Sequence, residues 1–126
     1  MGEVKDVKSK VQTYSPVSIF DIQFSNPDTT SFKVDKKQNM MIYVIEGQLQ
    51  FIESNKLASK GEMIFFDQSS DDISLTSISE KGSYLVLAGE PLNEPVARYG
   101  PFVTNSEGEI KQAMIDYQEG KMGSLN

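Results

Sequence analysis

The sequence predicts an all-β fold, an antiparallel barrel or sandwich, followed by one C-terminal α-helix. Two observations support this prediction. Short apolar or alternating segments follow one another between Val17 and Ala88, with Gly, Pro, Asn and Asp between them, which is the pattern of strands joined by turns. Apolar residues at helical spacing occur after this region, near the C-terminus.

The first predicted strand, 17–24, alternates and places Phe20, Ile22 and Phe24 on one face. The segment Ser25-Asn-Pro-Asp28 is typical of a turn, because Pro fixes φ and Asn and Asp bond to their own backbone. A second short strand is predicted over 30–34. These two segments begin the β-rich part of the chain.

The central strand is predicted over 40–46, which is apolar at nearly every position, as in strands covered on both faces. Gly47 interrupts it and 48–53 alternates, so we predict a hairpin at Glu46-Gly47. Further strands are predicted over the following ranges: 61–66, 71–78 and 84–88.

The chain changes character after Gly89. The segment 89–103 is rich in proline and is predicted to be ordered coil. Ser106 and Glu109 have capping-box spacing, which predicts a helix over 106–120. The helix carries one apolar stripe whose members are candidates for an assembly surface: Ile110, Met114 and Tyr117. We expect residues 1–10 to form a linker or arm and 11–126 a single domain.

The chain contains no histidine and no cysteine. This composition excludes thiolate nucleophiles, zinc–thiolate sites, Ser-His-Asp triads and two-histidine-one-carboxylate iron sites. We therefore assign no catalytic residue, and we expect no metal and no cofactor. The net charge is −6 and the basic residues are scattered, which disfavours direct nucleic-acid binding. No apolar run is long enough for a bilayer, and we expect a cytoplasmic protein.

The segment Ala88-Gly-Glu-Pro-Leu-Asn-Glu-Pro-Val-Ala-Arg-Tyr-Gly-Pro-Phe-Val103 resembles the terminal signature of the pirin family, and 109–120 resembles its closing helix. Upstream, 13–17 and 43–47 are similar to the opening and the central hairpin of pirin's second domain. The resemblance covers the chain from about Val7 onward. It implies an antiparallel cupin (jelly-roll) barrel with a C-terminal α-helix. Pirins are two-domain cupins whose first domain holds a non-haem iron and whose second is metal-free, and they are associated with quercetin dioxygenase activity and transcriptional cofactor roles.

The general cupin motifs align with residues that are poor ligands in this chain. With the final glycine of the first motif at Gly47, its carboxylate position falls at Met40 and its two histidine positions at about Val34 and Lys36. The second motif begins at Gly61, with Asp67 where Pro is usual. Its last histidine position is then Asp72. This set does not form an iron or zinc site, and a lysine ammonium repels a cation.

Three functions remain open from the sequence. The first is a non-catalytic binding or assembly module, which we expect to form a homodimer because the run 40–45 is apolar on both faces. The second is a small-molecule binder that uses Lys36, Met40 and Asp72 at the barrel mouth; the alternative for Lys36 and Asp72 is an ordinary surface lysine and a turn aspartate. The third is the inactive half of a quercetin dioxygenase, whose partner would be a separate metal-bearing cupin domain.

Overall fold

Strands form in this chain where side chains alternate between an apolar interior and an outer face. A computed structural model describes residues 3–4, 7–8, 10–11, 13–33, 35–66 and 72–124. The strands are β1 Glu3–Val4, β2 Val7–Lys8, β3 Val17–Phe24, β4 Thr29–Lys33, β5 Asn39–Glu46, β6 Gln48–Phe51, β7 Lys56–Ser59, β8 Met63–Phe66, β9 Asp72–Ser77, β10 Gly82–Gly89, β11 Ala97–Tyr99 and β12 Phe102–Thr104, and helix α1 spans Glu107–Gln118. The chain divides into two compact units, Met1–Pro91 and Leu92–Asn126.

The first unit contains two four-stranded antiparallel sheets. Their strand orders are β3-β10-β5-β8 and β4-β9-β6-β7. Apart from β6 and β7, strands adjacent in these sheets are not consecutive in sequence, as in the jelly roll that the sequence predicts. No ladder joins the two sheets in the described ranges, so the predicted cupin architecture is realised there as a sandwich of two open sheets.

The core lies between the inner faces of these sheets. Ile42, Val44 and Leu49 have no solvent exposure, and Leu75 and Val86 have 2% or less. Phe20, Ile22 and Phe24 pack against this core, which confirms the face predicted for the first strand. Full burial of each large apolar side chain contributes about 1.5–3 kcal/mol, and this burial holds the two sheets together.

The predicted hairpin at Glu46-Gly47 is wrong. β5 pairs with β10 and β8, whereas β6 pairs with β7 and β9, so the chain passes from one sheet to the other at Gly47. Gly47 has φ +88°, and a Cβ there would lie 2.5 Å from Ser79 Oγ and 2.8 Å from Lys81 O. The corner therefore requires glycine for its backbone conformation and for its close packing.

The second unit is a β-hairpin packed against α1. β11 and β12 pair in the segment that was predicted to be coil, and Pro95 and Pro101 lie just outside the two strands. The helix begins where the capping box predicts. Ser106 Oγ accepts a hydrogen bond from Glu109 N at 3.4 Å, and Glu109 Oε2 accepts one from Asn105 N at 3.2 Å. Gly120, at φ +71°, follows the last turn.

Several predicted elements agree with the structure within one or two residues, but strand β7 was missed, as were β11 and β12. Strand β7 occupies 56–59, just after the predicted turn at 54–56. In the arm, β1 and β2 pair with each other. Val34, at a histidine position of the cupin alignment, and Asp67, where that alignment has Pro, lie outside the described residues. No helix in the described part of the chain has the length and apolarity needed to cross a bilayer.

Candidate interaction surface

The outer face of the sheet β3-β10-β5-β8 is built from rows of side chains that run across all four strands. The strand register places Ile19, Leu87, Met41 and Phe65 in one row. The next row contains Asp21, Leu85, Tyr43 and Met63. Because directly opposite residues share a face of the sheet, seven of these eight side chains form one continuous apolar surface. We call these eight residues the outer apolar face.

The outer apolar face is accessible from outside the sandwich. Phe65 is 70% exposed and Met63 46%, and the side chains between them and β3 are half-buried. At one end of this face is a shallow hollow of about 260 Å³ lined by Val17, Ile19, Met41, Leu87 and Gly89, among others. Single exposed apolar side chains are ordinary, whereas a contiguous apolar patch is a candidate interaction site.

The other sheet has a mostly polar outer face, on which Leu57 is an exposed apolar residue. Thr29 Oγ1 and Thr76 Oγ1 are 3.0 Å apart, as are Ser31 Oγ and Ser74 Oγ. Gln48 Nε2 donates to Ser59 Oγ at 3.1 Å. These cross-strand hydroxyl and amide contacts are what a sheet presents to water. The chain therefore distinguishes the two outer faces chemically.

The residues proposed for the barrel mouth occupy different environments. Met40 points into the core with 4% exposure, opposite Phe66 and Ala88. Lys36 lies exposed in the turn between β4 and β5. Asp72 is an exposed residue at the start of β9 and is paired in register with Lys33. Their role as ligand contacts stays a prediction.

The three helical candidates for an assembly surface differ in exposure. Ile110 is buried, at 7% exposure, and Met114 is half-buried. Tyr117 is 67% exposed and contacts Phe102 edge-on, with ring centroids 6.1 Å apart. Of the three, Tyr117 offers most of its surface to a partner, and its role in assembly stays a prediction.

Two observations concern metal binding and titratable groups among the described residues. In that part of the chain no group of three or more Asp or Glu side chains could hold a metal ion. The phenol of Tyr84 is perturbed, since burial raises its pKa above the usual 10, a hydrogen bond with Thr30 lowers it and the charge of Asp28 raises it. Tyr84 packs in the core between Phe24 and Phe32. It therefore has a structural role.

Sequence reasoning missed most of the outer apolar face. It assigned one apolar side to 17–24 and did not use the second side, where Val17 and Ile19 precede Asp21. The signal was present in three strands, because 40–45, 63–66 and 84–88 are apolar at successive positions. The row arrangement depends on the strand order, which no local pattern contains.

The fold and this surface define a class, a cupin-type β-sandwich with an apolar outer sheet face and without histidine or cysteine. The model of one family, the pirin C-terminal cupin domain, matches residues 19–123. The chain belongs to this family, as its resemblance to pirins predicted.

The chain is similar to Pirin of Homo sapiens, with 35% identity over 97% of the chain and 43% of that protein. It is also similar to a Pirin-like protein of Solanum lycopersicum, at 32% identity over 97% of the chain and 42% of that protein. A crystal structure of Quercetin 2,3-dioxygenase from Acinetobacter baumannii matches with a TM-score of 0.82 and 31% identity, over 99% of this chain and 43% of that one. The chain thus spans less than half the length of the relatives that it matches.

Proposed function

We propose that this chain is a non-catalytic binding and assembly module whose outer apolar face packs against a second copy of the chain. The main support for this proposal is that the two rows of the outer apolar face are continuous across all four strands. Among their eight side chains, Asp21 is the only charged one. Covering such a face removes apolar area from water at about 25 cal/mol per Å². A pair related by a twofold axis is the commonest way for identical chains to achieve this.

The size of the face sets the expected affinity. Four strands about 4.8 Å apart and about 20 Å long give a flat area of about 400 Å². A standard interface buries about 800 Å² on each partner. We therefore expect a dimer that forms in the micromolar range and dissociates on dilution.

Light scattering after size exclusion, over a series of concentrations, tests this proposal. The expected result is a mass that rises with concentration from the 14.0 kDa of one chain toward twice that value. A mass of one chain at every concentration would contradict the dimer.

A second candidate function follows from the comparisons. The structure that matches at 31% identity is named a quercetin 2,3-dioxygenase and is more than twice as long as this chain. In this candidate the outer apolar face packs against a separate metal-bearing cupin domain, and dioxygenase activity belongs to the assembly. The test is to mix the chain with a His-rich cupin domain of the same organism. Formation of a complex that carries out iron-dependent quercetin oxidation would favour this candidate. Failure to detect any complex would exclude it.

Neither candidate places a transition metal in this chain. The support is its composition, since imidazole and thiolate are the usual ligands of iron, nickel and zinc and the chain has neither. Elemental analysis of the purified protein is expected to find no stoichiometric transition metal. About one equivalent of iron, nickel or zinc per chain would contradict this expectation.

A further inference from the structure

The second unit contains a groove that the proposed function does not use. It has a volume of about 450 Å³ and lies within Leu92–Asn126. One wall is formed by four consecutive residues, Val96 to Tyr99, and the other by residues of α1. The α1 residues are spaced i, i+3, i+4 and i+7, so they share one stripe of the helix: Glu107, Ile110, Lys111 and Met114.

The strand wall of this groove is a backbone edge. Successive residues of an extended strand point to opposite faces, so four in a row can line one cavity only if it runs along the edge of the strand. β11 pairs with β12 on one side, and its other edge has no partner strand in the part of the chain that the structure describes. A free strand edge beside a helix is the geometry that accepts an extended peptide as an added strand.

The side chains around the edge define what such a peptide would carry. Tyr99 lies opposite Phe102 in the hairpin, and Phe102 contacts Tyr117 of α1. This face, which Ala97 shares, is therefore the one turned toward the helix. Alternate residues of an added strand would lie beside the half-buried Met114 and the buried Ile110, a floor suited to apolar side chains.

Arg98, which lies between Ala97 and Tyr99, points to the opposite face of the hairpin. It is the chain's only arginine. No ion pair joins Arg98 or Lys111 to an acidic group among the described residues, whereas Lys121, at the other end of α1, pairs with Asp116 at 3.6 Å and with Glu119. Opposite charges facing each other across two strands stabilise their pairing. An acidic residue in the added strand would complement Arg98.

We propose that this groove binds an extended segment of a partner protein, which adds to the free edge of β11 and presents an acidic side chain flanked by apolar ones. A second copy of the chain is a poorer occupant. Antiparallel pairing of β11 with its own copy, centred on the strand, would place two Arg98 side chains opposite each other, and like charges in that position are destabilising.

The test uses the full chain and a fluorescein-labelled peptide of sequence Thr-Val-Glu-Val-Thr, followed by fluorescence anisotropy. One control peptide replaces Glu with Lys, and the other carries N-methyl groups on Glu and on both valines, which removes the N–H groups that strand addition needs from both edges of the peptide. Two protein variants reverse an exposed charge: Arg98→Glu at the groove and Lys60→Glu in the other unit. Amide NMR shifts report where the peptide binds.

The expected result is saturable binding of the Glu peptide, with shifts at 96–99 and 110–114. Arg98→Glu should lower the affinity for the Glu peptide by about three- to tenfold and raise the affinity for the Lys peptide by a similar factor. Lys60→Glu should leave the ratio of these two affinities unchanged. Three results would overturn the proposal. The first is failure of the Glu peptide to saturate the protein at millimolar concentration, and the second is equally tight binding of the N-methylated peptide. The third is that Arg98→Glu leaves the ratio of the Glu-peptide affinity to the Lys-peptide affinity unchanged. Shifts at 96–99 that grow with protein concentration in the absence of peptide would also overturn it, because a second copy would then occupy the edge.

Discussion

The two sheets of the first unit have similar inner faces and opposite outer faces. Both contribute fully buried side chains to one core, such as Ile42 from one sheet and Leu75 from the other. On the outside, β4-β9-β6-β7 presents paired hydroxyls and amides, whereas β3-β10-β5-β8 presents the outer apolar face. The inner faces explain why the domain folds. The difference between the outer faces is the basis for proposing the apolar one as the assembly surface.

The largest expected effect distinguishes the inner from the outer side of a single strand. Ile42 and Met41 are neighbours on β5, the first fully buried and the second half-buried on the outer apolar face. Ile42→Ala should lower the free energy of unfolding by about 2–5 kcal/mol, because it leaves a cavity in the core. Met41→Ala should cost less than half as much. Urea unfolding in dilute protein measures both, and equal losses would show that the outer face is packed as tightly as the core.

The corner between the two sheets should be the next most sensitive position. Gly47→Ala places a side chain at φ +88° and against Ser79 and Lys81. We expect a loss of about 2 kcal/mol or more in the free energy of unfolding. Gly61→Ala is the matched control, since Gly61 has a similar φ of +85° but no atom within 4 Å of the added carbon. If the two variants lost equal stability, the close approach at Gly47 would have no energetic role.

A smaller effect concerns pH and the inner face. Burial raises the pKa of Tyr84 above its usual 10, so the folded state binds this proton more tightly than the unfolded state. The resulting stability is present below pH 10 and is lost as the pH rises through the folded pKa. Tyr84→Phe should lower the free energy of unfolding by about 1 kcal/mol at neutral pH, because a hydrogen bond is lost. Between pH 9 and pH 11 the free energy of unfolding of the variant should fall less than that of wild type. Parallel alkaline curves for the two proteins would contradict the assignment.

Local sequence patterns predicted the positions of the strands and the helix better than they predicted which strands pair with each other. The alternation in 17–24 and the capping box at Ser106 depend on residues close in sequence, and both predictions were confirmed. The prediction of a hairpin at Glu46-Gly47 was wrong, because the choice of partner strand depends on burial across the whole sandwich. Strands β11 and β12 were missed because each has only three residues. β11 lies between Pro95 and Pro101, and β12 directly follows Pro101.

The candidate surfaces were predicted less completely than the fold. The apolar run 40–45 indicated that β5 has two apolar faces. It was the one run interpreted in this way, although 63–66 and 84–88 have the same pattern. The rows that join Ile19 to Phe65 through Leu87 and Met41 exist only because β10 lies between β3 and β5. Sequence reasoning instead proposed Lys36, Met40 and Asp72, which follow from the cupin alignment and not from the order of the strands.

A matched pair of substitutions tests most directly whether the outer apolar face is what assembles. Phe65 on β8 and Leu57 on β7 are both exposed apolar residues on edge strands, but they belong to different sheets. Sedimentation equilibrium of Phe65→Asp, Leu57→Asp and wild type, over the same concentrations, gives their masses. We predict that wild type and Leu57→Asp approach twice 14.0 kDa together, while Phe65→Asp remains a single chain. Association of Phe65→Asp equal to that of Leu57→Asp would contradict the account.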